Sequence, residues 1–346
     1  MKCFRGILIA ALYIFALCSC AANEEDRKIT DTNTAMGTII LQSIYVDFNP
    51  DKEPELARGI TGGVTDLIDL LETELLSWRL ETSEIYRINQ AAGETEGIAV
   101  SPELYRILEE ALEISAESDG ALDITLGSLS QLWNISNQLD DDEPIVIPTS
   151  AQVENALSAA GYARVTLGQN HITLPEDMQL DLGAVGKGLA CDNIADYLKA
   201  RPEVTGAVIS VGGSIMTYGS KPDGSTWKVG IVNPRESSGY LGFLELEGEW
   251  FVSTSGDYEQ YLEADGVRYH HILDPADGYP ADNGIIGVTI LCREGLLGDA
   301  LSTACFVAGV EQGLTLAAQY GAQALIVDTD GIIHMTEGMA EIVQLQ

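Results

Sequence analysis

From residue 206 onward the chain becomes a series of short apolar runs punctuated by glycine. This pattern constrains the fold more than any other feature. The runs 206–211, 215–218, 227–232, 241–246, 250–254 and 287–291 each read as a β-strand. Helices are expected after them at 297–308 and 311–320, then two more strands at 324–328 and 332–335. Ahead of them, Ile60, Val64, Leu67, Leu71 and Leu75 recur at helical spacing over 54–78. Leu104, Ile107, Leu108, Ala111 and Leu112 do the same over 102–118, where Pro102 suits a first turn. Further helices are expected at 151–160 and 184–199, a strand at 34–47 that Gly37 breaks early, and an acidic loop at 140–143. Strands and helices mix without a regular β-α alternation, which points to an α+β fold and not to a doubly wound sheet. No Pro- or Ser-rich linker divides the 346 residues. Residues 34–346 are therefore expected to form one functional unit of mixed sheets and helices, or two subdomains of it.

The N-terminus reads as a targeting segment. Lys2 and Arg5 precede an apolar stretch, 6–17, too short for a transmembrane helix of about 20 residues. It ends in Leu17-Cys18-Ser19-Cys20, which resembles a bacterial lipobox with Cys20 as the lipidated residue. Ordinary signal cleavage without lipid is the alternative. The polar run that follows, 21–33, is expected to be a flexible tether. These features place the protein on the outer side of a cell membrane, anchored by lipid. The chain carries 53 Asp and Glu against 18 Lys and Arg, a net charge of −35. Phosphate backbones need clustered cations, so nucleic acid is excluded as a partner. Beyond residue 20 only Cys191, Cys292 and Cys305 remain. Their apolar surroundings point to buried thiols, not a disulfide framework. Neither Cys-x-x-Cys nor His-Glu-x-x-His occurs, which argues against zinc.

Several segments carry side chains capable of chemistry. Asp181-Leu-Gly-Ala-Val-Gly-Lys-Gly188 reads as a strand end running into a helix start. Glycines there let the backbone approach a phosphate, and Lys187 can pair with one. The segment matches neither a Walker loop nor a Rossmann fingerprint, and a tight turn with a solvated lysine would also explain it. In Gly298-Asp-Ala-Leu-Ser-Thr303, Asp299 and Thr303 stand four apart on one helix face. They are hard oxygen donors of the kind Mg²⁺ takes, although Asp299 as a helix cap is the plainer reading. In Tyr269-His-His-Ile-Leu-Asp274, neighbouring strand residues face opposite sides, so one histidine of the pair can serve as a base, and His271 is preferred. The segments 119–125, where Gly120 is expected to cap a helix, and 253–258 are unremarkable alone. Ser225-Thr-Trp-Lys228 lacks an accompanying Lys-Thr-Gly and is set aside.

Taken together and in this order, the segments resemble the ApbE family of FAD:protein FMN transferases. The resemblance runs from Ala35-Met36-Gly37-Thr38 through Ser77-Trp78-Arg79, 120–125, 181–188, Val211-Gly-Gly213, 253–257 and His271-Ile-Leu-Asp-Pro275 to Asp299-Ala-Leu-Ser-Thr303. It implies an enzyme that uses Mg²⁺ to split FAD and join FMN by a phosphoester bond to a Ser or Thr of another protein, releasing AMP. The implied acceptors carry an Asp-x-x-Ser/Thr-Gly-Ala-Ser/Thr motif in exported subunits of membrane redox complexes. By the same resemblance Met36, Trp78, Ala121, Leu122, Asp123, Asp181, Lys187 and Ile272 fall where the family contacts FAD. The Ala184 carbonyl, Asp299 and Thr303 fall at its metal site, and His271 or Asp257 takes the acceptor's proton. Two positions depart from the family pattern. Ser214 stands where similar sequences often carry Asn or Asp, and Lys187 where some carry Glu. Neither is expected to touch the metal ligands. The same site with water as nucleophile would make an FAD pyrophosphatase, and a flavin-binding lipoprotein without chemistry is the alternative of another class.

Overall fold

The computed structural model describes residues 27–140, 144–236 and 239–346. Cys20, the apolar stretch before it and most of the acidic loop lie outside the described residues. The described chain opens on a hairpin of β1 (Lys28–Ala35) and β2 (Thr38–Val46). Its two-residue turn has φ of 49° at Met36 and 65° at Gly37, the left-handed pair that suits strand twist. β1 begins within the stretch expected to be a tether and runs past it. It pairs from Lys28↔Tyr45 to Ala35↔Thr38, so the ordered unit begins by Lys28 and not at residue 34. Its polar composition hid it, because an edge strand needs few apolar residues.

α1 (Pro54–Leu70) buries Ala57, Ile60, Val64 and Ile68. It runs into a π-helical turn, Leu71–Leu76, which ends the single helix expected over 54–78. Next come α2 (Glu84–Gln90), β3 (Ile98–Ala99) and α3 (Pro102–Glu117). At the end of α3, Gly120 N–H bonds Ser115 O at 2.8 Å and Asp119 N–H bonds Ala116 O at 3.2 Å. This is a Schellman ending in which Asp119 takes the first left-handed position, with Gly120 after it. α4 (Gly127–Trp133), α5 (Ile135–Asp140), α6 (Ser150–Ala159), β4 (Thr166–Gly168) and β5 (His171–Thr173) complete the first half.

The second half supplies α7 (Gly186–Lys199), β6 (Val204–Val211), β7 (Ser214–Gly219), β8 (Trp227–Val232), β9 (Tyr240–Leu246), β10 (Trp250–Gly256), β11 (Tyr261–Ala264) and β12 (Val267–His270). β13 (Ile285–Cys292), α8 (Gly295–Ala308), α9 (Val310–Gln319), β14 (Gln323–Asp328), β15 (Ile333–Met335), α10 (Glu337–Ile342) and β16 (Val343–Leu345) follow.

Eight strands form one sheet in the order β1-β2-β6-β7-β10-β13-β14-β15, antiparallel throughout. One face packs Ile40, Ile44, Phe251, Val288 and Ile290 against Ile60 and Val64 of α1, Ile194 of α7 and Leu301 of α8. The other face packs Tyr45, Ile215, Val252 and Leu291 against Trp227, Val229 and Leu244 of the small sheet β16-β9-β8 and Met339 of α10. Covered on both sides, β13 is buried at every position, which explains why it reads as a continuous apolar run. The α+β organisation expected from the sequence is the one observed. A smaller core joins Leu129 and Trp133 of α4, Val153 of α6, Leu262 of β11 and Leu273. Trp133 Nε1–H donates to Gly278 O at 2.8 Å and ties this lobe to the segment after the paired histidines. Cys191, Cys292 and Cys305 are free and buried, as expected. Among the described residues no helix is long and apolar enough to cross a membrane.

Candidate active site

Helices α7 and α8 meet at two glycines. A Cβ on Gly188 would stand 2.0 Å from the Gly295 carbonyl oxygen, and one on Gly295 would stand 2.2 Å from the Gly188 carbonyl oxygen. Only glycine permits so close an approach. The approach lets each helix cap the other. Asp299 of α8 accepts the Gly188 N–H of α7 through Oδ2 at 2.6 Å. Asp192 of α7 accepts the Gly295 and Leu296 N–H groups of α8, at 2.6 Å and 2.8 Å. N–H groups at a helix start lack intrahelical partners and attract carboxylates. Because Gly188 N–H is turned to Asp299, the Ala184 carbonyl four residues back is without its helical donor. The ladder of α7 starts instead with Leu189 N–H on Val185 O at 3.0 Å.

Asp299 is only 5% exposed. Its Oδ1 accepts the Ser214 hydroxyl at 2.5 Å. Among the described residues no ion pair reaches it. Ser214 was expected to stand clear of the metal ligands, and this contact overturns that expectation. The partners are 85 residues apart, and the Gly212-Gly213 turn brings them together. One helical turn beyond Asp299, Thr303 Oγ1 lies 3.5 Å from Ser255 Oγ, which is itself 2.8 Å from Ser302 Oγ. The spacing argument thus holds: Asp299 and Thr303 share the α8 face turned toward β7 and β10.

Asp181 opens the loop before α7. Its Oδ1 accepts Gly183 N–H at 2.9 Å, and its N–H reaches Ile124 O at 2.9 Å. The loop is thereby stitched to the 121–125 segment. In that segment Leu122 is buried and Ala121 half-buried. Asp123 Oδ1 accepts the Thr125 N–H at 2.8 Å and hydroxyl at 2.6 Å, and its Oδ2 accepts Tyr162 N–H at 3.0 Å. Its carboxylate therefore holds the segment in shape. Met36 N–H donates to Glu72 Oε2 at 2.9 Å. The Trp78 ring carries the Arg79 guanidinium 4.2 Å above its centre. Ile272 is buried, and its carbonyl accepts Ala281 N–H at 3.0 Å.

The two histidines face apart. His270 Nε2 lies 3.0 Å from Ala281 O, while its Nδ1 accepts Ile272 N–H at 3.3 Å. Both ring nitrogens are engaged, so its role is structural. His271 Nδ1 lies 3.2 Å from Gln260 O. A carbonyl only accepts, so Nδ1 carries the proton and Nε2 keeps its lone pair. Burial, and then the charge of Lys187, pull the His271 pKa down to about 3. Asp257 is occupied: Arg235 grips both its oxygens at 2.7 Å, and Arg268 lies at 3.5 Å. A carboxylate held in this way is an ion-pair anchor.

Glu259 escaped the reading of the sequence. Burial raises its pKa, the charge of Lys187 opposes the rise, and Asp299 adds to it. A Cβ on Gly213 would lie 3.1 Å from its Oε1. The charge of Lys187 thus bears on both Glu259 and His271, and that of Asp299 on Glu259. The available signal was a second acidic residue two positions after Asp257. No group of three or more His, Cys, Asp or Glu that could hold a metal occurs among the described residues.

Known proteins share this arrangement of elements. A sequence model of the ApbE family matches residues 36–326. An FAD:protein FMN transferase of Vibrio cholerae serotype O1 is 32% identical over 327 residues, which cover 94% of this chain and 93% of that protein. One of Treponema pallidum is 30% identical over 359 residues, 98% of this chain and 95% of that one. The crystal structure of an ApbE protein from Thermotoga maritima superposes with a TM-score of 0.82 at 30% identity, covering 92% of this chain and 100% of the other. The apo form of the Pseudomonas stutzeri flavinyl transferase ApbE gives 0.75 at 30% identity, covering 91% and 97%.

Proposed function

The chain belongs to the ApbE family, and from that premise we infer that it is an FAD:protein FMN transferase, splitting FAD and joining the FMN half to another protein. One observation carries the reading to this chain's own residues. Asp299 is a buried carboxylate that receives two hydrogen-bond donors and, among the described residues, no cationic partner. Burying an unpaired charge is costly unless a cation joins it. Asp299, the Ala184 carbonyl and the Thr303 hydroxyl supply the hard oxygens that suit Mg²⁺, so these residues would hold it. When bound, the ion would neutralise charge on the FAD pyrophosphate.

The chain's own groups do the rest. N–H groups at the start of α7 and the Lys187 ammonium favour the pyrophosphate. The acceptor hydroxyl oxygen attacks the FMN phosphorus, the bond to the AMP oxygen breaks, and AMP leaves with that electron pair. His271 Nε2 takes the hydroxyl proton. A pKa near 3 would make it a weak base. The negative pyrophosphate beside it opposes the effect of Lys187 and lifts it toward neutrality.

The acceptor is a Ser or Thr within an Asp-x-x-Ser/Thr-Gly-Ala-Ser/Thr segment of exported redox subunits. The apolar run ending in Leu17-Cys18-Ser19-Cys20 supports lipid attachment at Cys20, which would hold the enzyme at the outer side of a membrane beside such partners. AMP release from FAD, followed chromatographically with and without acceptor, tests the chemistry. Release that needs both Mg²⁺ and acceptor supports the transferase. Equal release without acceptor would make the enzyme an FAD pyrophosphatase, and intact FAD would make it a flavin carrier.

A further inference from the structure

We propose that Ser214 is the positioning residue that aims Asp299 at its cation, and this rests on the reading of Asp299 as a metal ligand. Ser214 is 2% exposed, and its hydroxyl meets Asp299 Oδ1 at 2.5 Å. An ionised carboxylate only accepts, so the serine donates, in a short charge-assisted bond. Gly188 N–H holds the other oxygen at 2.6 Å. Each carboxylate oxygen has about two acceptor sites. One on each is filled from a fixed direction, which leaves one on each oxygen for a cation. Without Ser214 the carboxylate is pinned at one oxygen only and can turn about that bond.

The backbone around Ser214 is as constrained as the contact. It is the first residue of β7, paired with Val211 across the Gly212-Gly213 turn and with Ser253 of β10. Gly212 has φ of 59°, and a Cβ there would lie 2.6 Å from Thr38 Oγ1. A Cβ on Gly213 would lie 2.9 Å from Thr254 O. The turn is therefore wedged between β2 and β10. The Ser214 carbonyl also accepts the Cys191 thiol of α7 at 3.8 Å. One residue thus links α7, α8 and the sheet at the point where Asp299 needs a fixed direction. Partners that orient a metal ligand typically contribute 10–100-fold to metal affinity.

The test titrates Mn²⁺ into the full chain and follows the electron paramagnetic resonance signal of the free ion, with thermal melting of each metal-free protein beside it. The wild type binds, Asp299→Ala does not, and Ser214→Ala binds about 10–100-fold more weakly with little change in its metal-free melting temperature. Ser214→Thr, which keeps the hydroxyl, recovers most of the affinity. Ser214→Ala binding as tightly as wild type, while Asp299→Ala fails to bind, would overturn the role of Ser214 and leave the metal site standing. A low-melting metal-free Ser214→Ala whose affinity Ser214→Thr does not restore would make the contact merely structural. Wild-type protein that binds no Mn²⁺, or Asp299→Ala that binds like wild type, would remove the metal reading itself.

Discussion

Adjacent in sequence, His270 and His271 reach different surroundings because His270 is the last residue of β12 and His271 lies in the bend that follows it. His270 is fixed at both ring nitrogens, whereas His271 keeps Nε2 available. Replacing His271 by Ala should lower FMN transfer by about 10²–10⁴-fold with little effect on KM for FAD, the range expected for a lost proton acceptor. The measurement is a steady-state series in FAD at saturating acceptor. His271 also shapes stability against pH. Its folded pKa is depressed to about 3, first by burial, while an unfolded histidine titrates near 6.5. Below about 6.5 the unfolded chain binds the extra proton, so stability from the neutral ring is present above that pH and lost as pH falls toward 3. Denaturant unfolding of His271→Gln from pH 7 to 4 should therefore show a shallower acid loss than wild type, by up to ~1 kcal/mol per pH unit. At this scale the sequence was legible where placement follows spacing: Asp299 and Thr303 on one helix, and two histidines with different partners. It was silent on Asp192 and Glu259, and on the contact that Ser214 makes with Asp299. Asp299 is 85 residues from Ser214 and 111 from Gly188, and no local pattern reports contacts of that length.

Between elements, the crossing of α7 and α8 matters most. Each helix caps the other's first turn, and two facing glycines set the distance. Gly188→Ala would drive a methyl into the Gly295 carbonyl and toward Asp299 Cγ, 2.9 Å away. Overpacking of this kind costs about 1–3 kcal/mol. It should also weaken Mg²⁺ binding, which a melting series with and without MgCl₂ would show. Beside this crossing lies a cleft between α3 and the start of α8, lined by Glu110, Asp192 and Glu294. Burial first, then Glu294 and Asp192, raise the Glu110 pKa from 4.5 to about 7. The ionised side chain is thus disfavoured in the fold, and stability falls as pH rises from about 4.5 through 7. Glu110→Gln should melt higher than wild type at pH 8, by an equivalent of about 1–2 kcal/mol after solvent screening, and show no gain at pH 4.5. Helices with strong apolar periodicity, α1 and α3 among them, were legible in the sequence, as was the apolar β13. The edge strand β1 was not, because its alternation is weak and its partner β2 supplies the order. The π turn after α1 was hidden too, since its leucines continue the helical period and only the backbone departs from it.

At the scale of the whole molecule, a net charge of −35 repels itself in the compact state. Raising NaCl from low concentration to about 0.15 M, where the screening length is about 8 Å, should raise the melting temperature. Mg²⁺ should do so well beyond an equal ionic strength of NaCl, because the proposed site would bind it where NaCl only screens. At 100 times its dissociation constant a ligand confined to the folded state adds about 2.7 kcal/mol, and Asp299→Ala should erase that excess while keeping the salt effect. The architecture places the site where three features meet: the glycine crossing of two helices, the Gly212-Gly213 turn of the central sheet, and the end of β12. The α+β class was readable from the succession of short strands. The way distant strands close on Asp299 was not, because the register of a long antiparallel sheet is a property of pairing across the whole chain.

The measurement that bears most directly on this account is the intact mass of an acceptor protein carrying an Asp-x-x-Ser/Thr-Gly-Ala-Ser/Thr segment, after incubation with the enzyme, FAD and Mg²⁺. The account expects a gain of one FMN on the motif Ser or Thr, with one AMP released for each, abolished by EDTA and by Asp299→Ala. An acceptor of unchanged mass beside free FMN and AMP, or beside intact FAD, would contradict it.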